Sequence, residues 1–397
     1  MNYKETLFFI AKSLTISLEE KNRDEIESIL KTMDVDWDIV VKVSTSHYVF
    51  PALYCNFKRA DFLNYLPTEL VDFMKYITNI NRERNEKIIE QAQELNSLLL
   101  ANNIRPIFLK YLPADLVDYM KHITNLNRDR NTQILQQAQE LNSLLLANKI
   151  TPIFLKGTGN LLEGLYEDIG ERMVGDIDFL FSEKDFFKSI DILKKDNYTK
   201  PDSELDYFQG FRHYSRLVKP ENIAAVEIHN EVTIEKHRGE FNCKIISEDA
   251  QLINDFSVLS FENQLSLSII TSQINDYGFK FKNLSLRNAY DVFLLSKKID
   301  TKKVISKFTA LKSPLNCFIA NCNLVFGDLE SLEYYKTKES ESYLKAFNKY
   351  LYRRKSIINF KLIMINLYRR FGKFFKSIYN SENRKWLLNR IKSKISI

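Results

Sequence analysis

Residues 65–110 of this chain are repeated immediately, without a gap, as residues 111–156, with about three-quarters of the positions identical. Most differences are mild, such as Glu69/Asp115, Phe73/Tyr119 and Ile80/Leu126. Each copy reads as a Pro-started helix, a second long helix ending in LNSLLLAN, and a short strand-like run, IRPIFLK or ITPIFLK. Two copies do not make a solenoid, which needs about three repeats to bury a continuous core. One copy must therefore belong to the main fold and the other be added scaffold. The residues after each copy separate the two. Lys110 leads straight into the next copy's helix, whereas Lys156 opens KGTGNLLEGLYEDIGERMVGDIDFLF, with five of the chain's ten glycines (Gly157, Gly159, Gly164, Gly170, Gly175). Only the second copy is joined to a segment that could carry chemistry.

A chain of 397 residues has room for two or three domains. With 45% hydrophobic and 27% charged residues it has the composition of a soluble globular protein. Ten glycines, eight prolines and long apolar patterns of helical period predict a helix-rich α+β fold. The expected organisation is an N-terminal helical region (1–64), the first copy (65–110), a core (111–245), a helical domain (246–345) and a basic, aromatic-rich helical tail (346–397). Cys55, Cys243, Cys317 and Cys322 are too scattered for a disulfide framework, and no second Cys or His pair completes a zinc site with Cys317 and Cys322. No uncharged run reaches the ~18 residues of a membrane span, and the N-terminal apolar run lacks a cleavage signal, so the expected location is cytoplasmic.

The net charge of +6 is unevenly spread. From Lys349 onward there are fourteen Lys or Arg and a single acid, Glu382, which leaves the preceding chain net acidic. This tail has three readings: a solvated helical edge, contact with RNA phosphates and bases, or lodging on an anionic membrane surface through Phe371, Phe374 and Phe375. The last would make the protein peripheral to a membrane.

In VGDIDFLF, alternation puts Asp176 and Asp178 on one face of a strand and Ile177 and Phe179 on the other. Adjacent carboxylates at the mouth of a buried strand repel and resist desolvation unless a cation compensates. Hard oxygen ligands suit Mg²⁺, which completes its shell with water and substrate phosphates. The run ITPIFLK followed by GTG predicts a strand entering a glycine-containing turn, with a helix over NLLEGLYED. Backbone N–H groups and Thr158 in such a turn suit phosphate, although the GxxxxGK[ST] spacing is missing. In AAVEIHNEV the same alternation puts Glu227 and His229 on one face, where Glu227 either completes a carboxylate trio or pairs with a surface lysine.

The order LKG-T, then R-x-x-G-D-I-D-F-L from Arg172, then V-E-I-H resembles the DNA polymerase beta-like nucleotidyltransferase superfamily. It looks closest to the uncharacterised bacterial nucleotidyltransferase family whose members read roughly LKG…R…DIDLLV…HW. The likeness covers roughly residues 35 to 300 apart from the first copy, taking in WDIVVKVSTSHYVFPALY and LRNAYDVFLL. It implies a small mixed sheet flanked by helical regions. It further implies triphosphate binding at Gly157 and Thr158, metal binding at Asp176, Asp178 and Glu227, and phosphate-neutralising positions at Lys156 and Arg172. Thr158 stands where serine or alanine is commoner, and Asn230 where tryptophan often stands.

The expected function is transfer of an NMP from an NTP to an acceptor such as a sugar phosphate, RNA or protein, with release of pyrophosphate. Two Mg²⁺ ions are expected, with Mn²⁺ as the substitute. Two rivals remain at this level: a glycosyltransferase using DxD to hold Mn²⁺ and a nucleotide sugar, and a non-catalytic helical protein binding RNA, membrane or a partner.

Overall fold

The computed structural model describes residues 1–32, 35–65, 116–201, 207 and 211–351. The first repeat copy beyond Tyr65 and the basic tail from residue 352 lie outside the described residues, together with the roles expected of them.

Four helices open the chain: α1 (Tyr3–Ser13), α2 (Glu20–Thr32), α3 (Trp37–Ser46) and α4 (Phe50–Arg59). Asn2 and Glu5 form a capping box at the start of α1. Pro51 lies in the first turn of α4, where its missing N–H removes no intrahelical bond. Phe9, Trp37 and Phe57 join α1, α3 and α4 through ring contacts of 6.2–6.4 Å.

The second repeat copy supplies α5 (Leu116–Ala147), a single helix of 32 residues where two were expected. No proline or glycine interrupts that span, so nothing in it stops a helix once started. The chain continues through β1 (Ile153–Leu155), α6 (Lys156–Leu162), β2 (Asp176–Leu180), α7 (Glu183–Lys195) and β3 (Ala225–His229). Ser182 caps α7 by accepting from the Asp185 N–H, and Phe186, Ile190 and Leu193 are buried, as the sequence pattern predicts. Then come α8 (Cys243–Glu248), β4 (Gln251–Ile253), β5 (Phe256–Val258), α9 (Phe261–Ile270), a π-helical turn (Thr271–Asn275) and α10 (Gly278–Phe281). Helices α11 (Leu286–Ser296), α12 (Thr301–Ser306), α13 (Lys312–Phe326) and α14 (Lys338–Leu351) complete the described chain.

The fold is helix-rich α+β around a mixed five-stranded sheet of order β3-β2-β1-β5-β4. β2 pairs parallel with β3 across the α7 crossover, while β1 is antiparallel to β2 and parallel to β5. Residues 251–258 form a hairpin inside the region (246–345) expected to be a helical domain. Its turn residues Asn254 and Asp255 have φ of 45° and 69°, which matches the twist of a two-residue β-hairpin. The sheet's core runs through Phe154, Ile177, Phe179, Val226, Ile228 and Val258, all at most 1% exposed.

Glu163, at the end of α6, accepts hydrogen bonds from Gln251 on β4 and Gln264 on α9. Burial pushes its carboxyl up to about 7, against the opposing effects of the Gln264 bond, the Lys298 charge and the Gln251 bond. A carboxyl that ionises later in the native state than in the unfolded chain adds stability below its ordinary value near 4.5, and this is lost as pH rises to about 7. Wild type should therefore lose thermal stability between pH 5 and 8 relative to Glu163→Gln. Melting temperatures of both proteins across that range check this, and a constant difference would contradict it.

Candidate active site

Parallel pairing of β2 with β3 sets Asp176 beside Ala225 and Asp178 beside Glu227, while Leu155 at the end of β1 opposes Asp178. Two short-range alternations thus become one acidic face. One guanidinium nitrogen, Arg216 Nη2, donates to Asp176 Oδ2 at 3.0 Å and to Glu227 Oε1 at 3.1 Å. Lys156 Nζ donates to Asp178 Oδ1 at 2.7 Å and stands 3.8 Å from Glu227 Oε2. His229 Nε2 lies 2.8 Å from Asp178 Oδ1 and 3.6 Å from Glu227 Oε2. Three carboxylates therefore share two side-chain cations and an imidazole.

The electrostatics follow from this geometry. Burial alone would raise Glu227, but the His229 hydrogen bond and the Lys156 charge outweigh it and hold the carboxyl well below its usual range. Burial would lower Lys156, yet Asp178 and Glu227 hold its ammonium above its ordinary value. Asp176 is raised, mainly by burial; Arg216 opposes this, and the Glu227 and Asp178 charges add to it.

Lys156 reaches the acids because the strand-to-helix turn is made at that residue, with φ of 53°. A lysine in the left-handed region is strained, and such strain persists where surrounding contacts enforce it. The glycines are consequently not in a loop before the helix: Gly157 and Gly159 lie inside α6, which starts at Lys156. Gly159 is required there, since a Cβ would meet the Phe154 carbonyl oxygen at 2.7 Å. Thr158, fully buried, donates its hydroxyl to the Asp176 carbonyl at 3.1 Å and so ties α6 to the start of β2.

Arg172 is placed differently from the other expected residues. Its guanidinium, in a residue 7% exposed, pairs with Asp291 on α11 at 3.0 Å and donates to the Tyr166 hydroxyl and the Met173 carbonyl. The segment around it is pinned by α5. Asn127 donates to the carbonyls of Gly170 and Arg172, Asn131 to those of Ile169 and Arg172, and Arg130 to those of Val174 and Gly175. Gly170 permits that approach, because a Cβ there would lie 2.8 Å from the Thr124 methyl. The second repeat copy thus fixes the entry to β2.

The profile of a family described as an uncharacterised nucleotidyltransferase matches residues 33–110 and again 111–327. The chain belongs to this nucleotidyltransferase family. The break between the two matched regions falls at the junction of the repeat copies. No curated protein matches the chain. Among solved structures, the crystal structure of JHP933 from Helicobacter pylori is 12% identical, with a TM-score of 0.29 over 58% of this chain and 97% of that one. That likeness is too slight to carry an argument.

In this nucleotidyltransferase, a cavity of about 220 Å³ opens beside the acids, with Lys156, Glu227 and His229 in its lining. Arg212 and His213 also line it, as do Thr271, Asn275 and Asp276 from the π turn and its end. Sequence reasoning missed Arg216 and assigned no role to His229. Residues 212–219 run antiparallel along the edge of β3 through isolated bridges at His213–His229 and Leu217–Val226. That pairing brings Arg216 over the acids. His229 was visible on the same face as Glu227, but only the pairing of β3 with β2 shows that it reaches Asp178.

Proposed function

We propose that the protein is a Mg²⁺-dependent nucleotidyltransferase that moves an NMP from an NTP to an acceptor hydroxyl or phosphate. The observation that carries this reading is the convergence of Asp176, Asp178 and Glu227 on adjacent parallel strands, in a chain of a nucleotidyltransferase family. The donor set fits a divalent cation. Asp178, Glu227 and His229 each offer a ligand atom, all within 4.8 Å of one another, and Asp176 and Glu227 converge on a single nitrogen of Arg216. Carboxylate oxygens suit Mg²⁺, and the imidazole would also admit Mn²⁺.

The three carboxylates would hold the metal, with Lys156 and Gly157 at the triphosphate and Thr158 keeping the Asp176 backbone in register through its hydroxyl. When bound, the metal would neutralise triphosphate charge and stabilise the leaving pyrophosphate. In the transfer, the acceptor oxygen bonds to the α-phosphorus as the bridge to the β-phosphate breaks. The acceptor proton passes to base or water, and pyrophosphate departs. The Lys156 ammonium, kept charged by its acids, supplies fixed positive charge beside the phosphates. Arg172 contributes indirectly, by anchoring the entry to β2 against Asp291.

Thermal unfolding with each of the four NTPs, with and without Mg²⁺, tests the reading. A nucleotide at ~100 times its Kd stabilises the folded state by about 2.7 kcal/mol. At least one NTP should do so in a Mg²⁺-dependent way; no stabilisation by any of the four would sink the proposal.

A further inference from the structure

Arg216 stands on a backbone fastened to β3 on both sides of it. The Tyr214 N–H donates to the Ile228 carbonyl at 2.7 Å, and Leu217 and Val226 exchange both of their backbone hydrogen bonds, at 3.0 and 2.8 Å. Its side chain is 39% exposed, against 29% for Asp176 and 15% for Glu227. The guanidinium therefore covers these two acids from the solvent side. It can turn away by side-chain rotation, with the strap of residues 212–219 left in place.

The two cations of the cluster divide the acids between them. Lys156 is bonded to Asp178 Oδ1 and stands 3.8 Å from Glu227 Oε2. Arg216 holds the other Glu227 oxygen, Oε1, at 3.1 Å and Asp176 Oδ2 at 3.0 Å, both through Nη2. Those two oxygens belong to acids that the transferase reading gives to the metal. Mg²⁺ takes carboxylate oxygens at about 2.0–2.1 Å. An ion bridging this oxygen pair and the guanidinium nitrogen thus contend for the same lone pairs, and as like charges they repel.

We propose that Arg216 holds the metal seat between Asp176 and Glu227, yields it to the metal that enters with the nucleotide, and then pairs with the triphosphate. Two carboxylates favour a divalent ion over a shared guanidinium hydrogen bond. The nucleotide brings the anionic oxygens that the displaced guanidinium needs, and its planar fork suits phosphate. The device works in both directions. An ion entering alone must part Arg216 from its acids, whereas an ion entering with nucleotide gives it a new partner. Arg216 thereby becomes a substrate-contacting group of the transfer, an assignment that rests on the transferase reading.

The test follows Mn²⁺ binding to the full chain by electron paramagnetic resonance, with and without a non-hydrolysable NTP analogue. Without the analogue, Arg216→Met should bind Mn²⁺ about tenfold more tightly than wild type, because no charged hydrogen bond has to be broken first. The order should reverse for the nucleotide: Arg216→Met should bind the Mn²⁺-loaded analogue about tenfold more weakly, having lost a charge-assisted contact to phosphate. Arg216→Gln, neutral but still a donor, should move both affinities the same way by less, and Arg216→Lys should bring both back toward wild type. Circular dichroism checks the fold of each variant. Mn²⁺ should also raise the melting temperature of Arg216→Met by more than that of wild type, which damage to the fold alone would not produce. Mn²⁺ affinity in the neutral variants equal to or below that of wild type overturns the seat assignment. Tighter Mn²⁺ with unchanged analogue affinity overturns the move to phosphate. No Mn²⁺ binding by wild type or variants, alone or with the analogue, would instead overturn the transferase reading itself.

Discussion

Alanine at both Asp176 and Asp178 is expected to reduce transfer of labelled NMP by roughly a thousandfold or more, since losing even one transition-state charge stabiliser typically costs 10²–10³ in rate. The two acids sit on β2 against Glu227 and share Lys156 and Arg216 with it. Removing them leaves one carboxylate facing two cations. A single carboxylate is a poor seat for Mg²⁺, while the added positive charge still attracts triphosphate. The double variant should therefore bind NTP without the metal dependence of wild type. Incubation with α-labelled NTPs and a cell extract, alongside thermal unfolding with and without Mg²⁺, separates the two effects. Transfer that survives in the folded double variant would show that the acids are not the metal site.

The largest loss of stability is expected from Asp291→Leu. Asp291 is 1% exposed, and it holds the Arg172 guanidinium and accepts from the Tyr166 hydroxyl at 2.6 Å. Removing one partner of a buried ion pair strands the other charge away from water, at a cost of about 3–5 kcal/mol. Replacing both partners by apolar residues of similar size is often close to neutral, so Arg172→Met with Asp291→Leu should recover most of that loss. Urea unfolding of the two single variants and the double variant checks this. If Asp291→Leu unfolds at the wild-type midpoint, the pair has no structural role, and Arg172 would return as a candidate for the nucleotide.

Much of the site could be read along the chain because its parts are local. Alternation in DIDFL and VEIH put each acid on a defined strand face, and the two strands then paired as neighbours. The Ser182 cap was equally local. The hairpin at residues 251–258 went unread although Asn254-Asp255 carried its turn signal, because three-residue strands are too short to show a period of two. The start of α6 was misplaced because a positive φ at Lys156, which no sequence pattern announces, closes the turn in one residue.

The repeat shows the limit most directly. Asn127, Arg128, Arg130 and Asn131 of the second copy have identical counterparts in Asn81, Arg82, Arg84 and Asn85 of the first, so composition does not distinguish the two. The glycine segment that comes after Lys156 alone does. The sequence by itself determined the helix-rich α+β class, the acids and their strand faces, and the copy that leads into them, because each depends on residues close in the chain. The tertiary structure alone decided which charge each residue meets. Arg172 found Asp291, which lies 119 positions further along, whereas Arg216, 40 positions beyond Asp176, came to the acids. Ion pairs are chosen by packing between distant segments, and residue spacing carries no record of that choice.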